Sequence, residues 1–297
     1  MASNTTFIDP AVLASLDNLE LRARVVVEGF LSGLHKSPHR GFSVEFTDYR
    51  NYYRGDDMRH VDWKLYARSD KFYIKQYEDE TNVRCYIVLD SSASMGYSSG
   101  GMSKLEYGIT LASALAYFIM RQRDAVGLIT FDDKVNDYIP ALCRQPHLIR
   151  ILRVLAGLKP GAATNIVRPL SDLAVNLTRK SLVILISDLL EDEVATIKTL
   201  QRLRSMGNDV IVFQVMDDAE LNFTFHEATE FIDAETAETY ITSPAAIRDA
   251  YLENINKFLA FCKKQCQSSG VDYCLVNTSQ PLDAALTSYI SRRARSF

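Results

Sequence analysis

A short polar cluster directly follows an apolar run near the middle of the chain. In the segment YIVLDSSASMGY, Asp90 ends the apolar run, and Ser92 and Ser94 follow it at alternate positions. Further along, Asp188 follows the apolar run SLVILIS, and Thr164 lies in a loop segment just before a helical pattern. Two carboxylates and three hydroxyls form an all-oxygen donor set, which suits a hard cation such as Mg²⁺ or Mn²⁺. We therefore expect these five residues to bind such a cation, directly or through water.

The mixture of charged and neutral donors predicts what a bound cation would do. Two carboxylates with neutral hydroxyls leave a divalent cation incompletely satisfied, whereas a cage of carboxylates would neutralise it. We therefore expect an acidic residue of a partner protein to complete the coordination. A simpler interpretation is that Asp90 and Asp188 only cap the helices that follow them, which is a common role of Asp.

The elements that must position these residues alternate along the chain. From about residue 82 onward, short β-branched runs alternate with longer segments of helical periodicity. Such alternation predicts an α/β fold with a doubly wound, mostly parallel, Rossmann-like sheet. In open sheets of this kind, ligands bind beyond the carboxyl ends of the strands, where the strand order reverses. Asp90 and Asp188 are expected at that edge.

The chain is predicted to have two regions. Residues 1–80 form an N-terminal segment, with a helix beginning at Asp9 and Pro10 and a region of extended or hairpin structure, packed on the main domain. Residues 81–297 form the α/β domain, with an insertion near residues 219–244. Two short extended pieces in this region predict a hairpin or a terse insertion.

Composition excludes several classes of protein. The net charge of −4 gives no general attraction to nucleic acid or to an anionic membrane. No apolar run reaches the roughly 18 residues that a membrane span requires, and the first residues lack the pattern of a signal peptide. The five cysteines fit no zinc or redox spacing. A reduced, cytoplasmic protein is expected.

The D-x-S-x-S motif of Asp90, Ser92 and Ser94, with Thr164 and Asp188 downstream, resembles the metal-ion-dependent adhesion site of von Willebrand factor A domains. The resemblance implies a doubly wound sheet and a metal ion, Mg²⁺ or Mn²⁺, that binds a partner's acidic side chain. In that family the second acid is commonly followed by Gly, whereas here Leu189 follows.

A second resemblance covers almost the whole chain. The segment from His39 to Glu80, followed by LDSSASM, is similar to the N-terminal signature of bacterial proteins of domain-of-unknown-function family 58. The resemblance implies a MoxR-type AAA+ ATPase as partner and a chaperone-like role in the maturation of other protein complexes. The client of such a protein is unknown.

Several charged and aromatic residues of this signature are candidates for a partner surface or for a seam between the N-terminal segment and the main domain. Charge-assisted networks and a large aromatic area suit either role. These residues are Arg50, Arg54, Asp56, Arg59, Asp62, Trp63 and Arg68.

Two other classes of function are weaker alternatives. Asp62-x-Lys64 fits the short D-x-K pattern of metal-dependent nucleases, but a three-residue pattern is a weak signal and such a site needs another carboxylate nearby. The serines of the segment SASMG lack a G-x-S-x-G elbow, and no Walker A loop is present. We therefore expect no enzymatic activity, with a metal-dependent hydrolase as the least favoured alternative. Between residues 36 and 75, nine Lys and Arg stand against six Asp and Glu with aromatic residues between them. Single strands of nucleic acid bind to such surfaces, but the acidic chain as a whole favours a protein partner.

Overall fold

The computed structural model describes residues 18–36, 49–51, 66, 73–75, 84–161, 166–177, 180–225, 229–232, 239–282, 285–287 and 289. The chain divides into two compact units, one of residues 1–33 and 83–297 and the other of residues 34–82. The predicted boundary at residue 80 stays a prediction.

The larger unit is built on a six-stranded sheet. Its strands are β3 (Arg84–Asp90), β4 (Ala125–Phe131), β5 (Val135–Leu142), β6 (Ser181–Ser187), β7 (Asp209–Met216) and β10 (Asp272–Asn277). They lie in the order β10-β7-β6-β3-β4-β5. All neighbouring strands are parallel except β4 and β5, which are antiparallel. The predicted doubly wound, mostly parallel sheet is therefore confirmed.

The strand order reverses between β3 and β6. After β3 the chain continues to β4 and β5 on one side, whereas after β6 it continues to β7 and β10 on the other. Because β3 and β6 are parallel neighbours, with Leu89 opposite Ile186, their carboxyl ends lie side by side. This is the position at which open α/β sheets bind ligands.

From residue 84 onward, helices alternate with the strands as predicted. The α-helices described along their whole length are α1 (Leu19–Lys36), whose residues up to 33 lie in the larger unit, α2 (Lys104–Arg121), α3 (Gln145–Gly157), α4 (Val167–Asn176), α5 (Glu193–Ser205), α6 (Asp218–Asn222) and α7 (Pro244–Ser268).

Successive side chains of the central strands point to opposite faces of the sheet. On one face, Val88 and Leu185 belong to a core cluster that includes buried residues of α4, α5 and α7. On the other face, Leu89 and Ile186 lie against α2, where a Cβ on Gly108 would come within 3.0 Å of Leu89 and 3.4 Å of Ile186. Gly108 therefore allows α2 to approach the sheet closely at its carboxyl end.

Helix α2 begins with a capping box beside the candidate site. The Ser103 side chain accepts a hydrogen bond from the backbone of Glu106, and the Glu106 carboxylate accepts one from the backbone of Ser103. These two reciprocal bonds satisfy donors that the first turn would otherwise leave free. The first residue of α2, Lys104, is thereby held in a defined place.

The predicted start of the N-terminal helix at Asp9 and Pro10 lies outside the described residues and stays a prediction. The described helix α1 begins at Leu19. Its start is set by Asn18, whose side chain accepts hydrogen bonds from the backbone of Glu20 at 2.9 Å and Leu21 at 3.1 Å. Asn is among the preferred residues at this position.

Helix α1 packs within the larger unit. Ala23, Val26 and Val27 are buried, and the Arg22 guanidinium donates a hydrogen bond of 3.4 Å to the Thr110 hydroxyl of α2. The predicted N-terminal helix is therefore part of this unit.

Two small antiparallel pairs complete the described structure. In the smaller unit, β1 (Tyr49–Asn51) pairs with β2 (Tyr73–Lys75). In the larger unit, β8 (Thr229–Ile232) pairs with β9 (Thr239–Thr242), as the predicted hairpin requires. None of the helices in the described part of the chain combines the length and the apolar character needed to cross a lipid bilayer.

Candidate cation site

Asp90 is a buried carboxylate at the carboxyl end of β3. Its side chain has no exposed surface. Oδ1 accepts a hydrogen bond of 2.9 Å from the Ser92 backbone N–H, and Oδ2 accepts one of 2.6 Å from the Ser187 hydroxyl. Burial, reinforced by the charge of Asp188, raises the pKa of Asp90 to about 7 in spite of these bonds. Without a cation, the negative charge of Asp90 is therefore weakly stabilised.

The hydroxyls of Ser92 and Ser94 converge next to this carboxylate. A one-turn 3₁₀ helix, Ser94–Gly96, follows Asp90 and brings the two Oγ atoms to 3.1 Å from each other. Two neighbouring ligands of an octahedral Mg²⁺ lie about 3.0 Å apart, because each Mg–O bond is about 2.1 Å. The two hydroxyls therefore have a spacing that one magnesium ion can use.

Ser91, between them in sequence, has a different role. Its hydroxyl donates a hydrogen bond of 2.8 Å to the Phe131 carbonyl at the end of β4. Because its hydroxyl is committed to the neighbouring strand, Ser91 does not belong to the donor set.

Asp188 follows β6 in a loop with an unusual backbone. Leu189 has φ = 60°, in the left-handed region that non-glycine residues rarely adopt. Its side chain is nevertheless buried, and its N–H donates a hydrogen bond of 3.0 Å to Ser187 Oγ. The loop thus has the left-handed turn that a glycine would favour, although leucine occupies the position.

Lys104 forms a buried cluster with Asp188 and Glu220. Its ammonium lies 2.8 Å from Asp188 Oδ2 and 2.7 Å from Glu220 Oε1, and the Lys104 side chain has no exposed surface. Burial alone lowers the pKa of Lys104, but the two carboxylates outweigh burial and raise it above its ordinary value. Lys104 is therefore a fixed positive charge beside the candidate cation ligands.

Glu220 completes the cluster from the first turns of α6. Burial raises the pKa of Glu220, and the attraction of Lys104 offsets this effect only in part. The Tyr251 hydroxyl donates a hydrogen bond of 2.9 Å to the Glu220 carbonyl, and the ring of Tyr97 lies 6.0 Å from the Lys104 ammonium. Loops after β3, β6 and β7 therefore surround one lysine.

Backbone hydrogen bonds join the loops at this edge. The Ser91 N–H donates to the Phe131 carbonyl, and the Gly161 N–H donates to the Ser91 carbonyl, each at 2.7 Å. The Ile166 N–H donates a bond of 2.7 Å to the Glu191 carboxylate. Gly161 and Ile166 are the described residues on either side of the segment 162–165. The predicted ligand Thr164 itself lies outside the described residues.

The structure brings some of the predicted site residues together and leaves others undescribed. Asp90, Ser92 and Ser94 form one cluster, and Asp188 lies in the adjacent loop with one oxygen bound to Lys104. In the described part of the chain, no group of three His, Cys, Asp or Glu side chains is suited to a metal ion. A cation at this edge would therefore depend on the serine hydroxyls.

The predicted partner or seam residues of the N-terminal signature are mostly not described. Arg50 lies in β1, where only the backbone is described. The other six lie outside the described residues, namely Arg54, Asp56, Arg59, Asp62, Trp63 and Arg68.

Residues 48–258 match the profile of a protein family described as "Protein of unknown function DUF58". The chain belongs to the DUF58 family. A second comparison finds similarity to uncharacterized proteins of Mycobacterium tuberculosis and Mycobacterium bovis. They are 24% identical over 298 residues, which cover 97% of this chain and 91% of each relative.

Solved structures resemble this DUF58 protein in fold. The conserved hypothetical protein BatB of Bacteroides thetaiotaomicron has 19% identity and a TM-score of 0.50, covering 72% of this chain and 99% of its own. An aerotolerance-related membrane protein of Bacteroides fragilis has 19% identity and a TM-score of 0.51, covering 71% and 99%. The von Willebrand factor A domain of SpRpn10 has 11% identity and a TM-score of 0.43, covering 70% and 94%.

Sequence reasoning missed three residues of the site in this DUF58 protein. Ser187 carried a weak signal, because it is a polar residue at the end of an apolar run and directly precedes Asp188. Lys104 and Glu220 carried none, because a lysine and a glutamate in the first turn of a helix are ordinarily exposed. Only the tertiary structure brings them together.

Proposed function

We propose that this DUF58 protein is a metal-ion-dependent protein-interaction module without enzymatic activity. The observation that supports it best is the 3.1 Å spacing of the Ser92 and Ser94 hydroxyls beside the buried carboxylate of Asp90. The position of these groups at the strand-order reversal also supports a binding role.

In this proposal, Asp90, Ser92 and Ser94 hold Mg²⁺ or Mn²⁺, with Thr164 and Asp188 as further ligands, directly or through water. When bound, the cation would supply an open coordination position for a carboxylate of the partner protein. Ser187 and the Ser92 N–H orient the Asp90 carboxylate, and Gln214 donates a hydrogen bond of 2.8 Å to the Asp188 carbonyl. These contacts hold the two acids in place before any ligand arrives.

We propose further that the partner is a MoxR-type AAA+ ATPase, and that this protein links the ATPase to a client in the maturation of other complexes. The support is the resemblance of the N-terminal signature together with membership of DUF58. A cytoplasmic location belongs to the same proposal.

Calorimetric titration with Mg²⁺ and with Mn²⁺ tests the cation site. The wild-type protein should bind one equivalent, and Asp90→Ala should bind none while keeping its circular dichroism spectrum. Normal binding by Asp90→Ala would show that the site is misplaced.

A pull-down with a purified MoxR-type ATPase from the same organism tests the partner. Retention should be strong in Mg²⁺ and weak after chelation, and weak for Asp90→Ala in either condition. Equal retention with and without chelation would separate the interaction from the cation and refute this part of the proposal.

A further inference from the structure

The buried lysine of the Lys104 cluster lies next to the proposed cation ligands and shares one of them. Asp188 Oδ2 accepts the Lys104 ammonium at 2.8 Å, and Asp188 Oδ1 accepts the Leu190 N–H at 3.2 Å. Both oxygens of Asp188 therefore already have a donor. A cation that binds Asp188 must therefore share this carboxylate with Lys104 or break the bond between Asp188 and Lys104.

Stability alone is a weak reason for a lysine in this place. Removing two carboxylates and an ammonium from water is costly, and a well-packed apolar replacement is often as stable. The Lys104 ammonium does affect other cations directly, because two positive charges repel each other strongly where water is excluded. One candidate target is a cation bound by Asp90, Ser92 and Ser94, because the ammonium contacts Asp188, a further proposed ligand of that cation.

The charges of the cluster are consistent with such an effect. Asp90, Asp188 and Glu220 carry three negative charges when ionised, and Lys104 carries one positive charge. These four groups together carry a charge of −2, and removal of the Lys104 charge would make their sum −3. Without Lys104, the site would present an excess negative charge and would hold the cation more tightly.

We propose that Lys104 is a built-in competitor that limits the affinity of the cation site by holding Asp188. The inference rests on the proposed function, because it assumes a cation at Asp90. Lys104 thus sets the affinity of the site for its cation, and Glu220 positions Lys104. Glu220 binds the same ammonium from the loop after β7, so Lys104 is held between two carboxylates.

The test is titration of the full chain with Mn²⁺ and with Mg²⁺ at constant ionic strength. Lys104→Met keeps an unbranched side chain that is one atom shorter and removes the charge, so its cation affinity should rise about tenfold or more over the wild type. Lys257→Met is the matched control, because Lys257 makes an exposed ion pair with Glu253 on α7. The control should bind the cation as the wild type does.

A folded Lys104→Met protein with unchanged or weaker affinity would overturn the inference and leave the cation site intact. If neither the wild type nor Lys104→Met binds a cation, the proposed function fails and the inference fails with it. If Lys104→Met does not fold, Glu220→Gln replaces it. In that variant Asp188 is the one carboxylate left to bind the Lys104 ammonium, so the cation affinity should fall severalfold. An unchanged cation affinity would overturn the inference.

Discussion

Ser187 and Asp90 meet at the ends of two neighbouring parallel strands, where the Ser187 hydroxyl donates a hydrogen bond of 2.6 Å to Asp90 Oδ2. The same hydroxyl accepts the Leu189 N–H at 3.0 Å. One serine therefore connects the acid of the β3 loop to the left-handed turn of the β6 loop. Through this contact, the two halves of the doubly wound sheet meet at the candidate site.

The burial of Asp90 predicts a pH-dependent stability. Its pKa of about 7 in the folded protein lies above the ordinary value of 3.8, so the folded state binds a proton that the unfolded state releases. This stabilisation is complete below about pH 4 and is lost as the pH rises through 7, by up to about 4 kcal/mol. Asp90→Asn should abolish this dependence and be the more stable protein at pH 8.

Urea unfolding in the presence of chelator at pH 5 and pH 8 measures the effect. The prediction would be contradicted if the unfolding free energy of the wild type and that of Asp90→Asn changed by the same amount between pH 5 and pH 8.

The serine hydroxyls predict a selective loss of cation affinity. Ser92→Ala and Ser94→Ala each remove one donor of the 3.1 Å pair and should weaken Mg²⁺ binding at least severalfold. Ser91→Ala is the matched control, because its hydroxyl bonds to Phe131 and not to the cluster. Calorimetric titration of the three variants distinguishes them, and equal weakening by Ser91→Ala would mean that the loop as a whole is perturbed.

The left-handed backbone of Leu189 predicts that a glycine variant is at least as stable as an alanine variant, which is the reverse of the usual order. Leu189→Ala removes a buried side chain at a cost of about 2–5 kcal/mol and keeps the unfavourable φ. Leu189→Gly removes the same side chain and also relieves a backbone strain of about 1 kcal/mol or more. The glycine variant should therefore be at least as stable as the alanine variant in urea unfolding. A glycine variant that is less stable by about 1 kcal/mol would show that the turn is unstrained.

The Lys104 cluster predicts strong coupling between its members. Asp188→Ala leaves the buried Lys104 ammonium with Glu220 alone, and the loss of one partner of a buried pair costs about 3–5 kcal/mol. The double variant Lys104→Met with Asp188→Ala should lose less than the sum of its two single variants, by about 1 kcal/mol or more. Unfolding of the cation-free proteins gives this cycle, and additive losses would mean that the two residues do not interact.

Much of the fold follows from local patterns. The runs RCYIVLD and SLVILIS lack polar alternation, which is typical of strands buried on both faces, and both are central strands of the sheet. The placement of Asp90 and Asp188 at one edge follows from the parallel direction of these strands. The cap that Asn18 provides for α1 was not predicted, although Asn is a common residue at the start of a helix.

The electrostatics of the site were beyond prediction for a physical reason. Lys104 and Glu220 are 116 positions apart in sequence, and neither has a local pattern that indicates burial. Their pairing depends on the order of β7 and β6 in the sheet and on the close approach of α2 at Gly108. The left-handed turn at Leu189 was also hidden, because leucine is not a residue that usually marks such a conformation.

The hydrogen bonds that join the loops at the sheet edge have a consequence for the entropy of association. Ser91 is bonded through its N–H to Phe131 and through its carbonyl to Gly161, and Ile166 is bonded to Glu191. Loops that are already ordered lose little conformational freedom when a partner docks, so less of the interaction free energy is lost to ordering. A partner that contacts the described parts of these loops would thus meet groups already held by hydrogen bonds, and most of the adjustment there would fall to the partner's own chain.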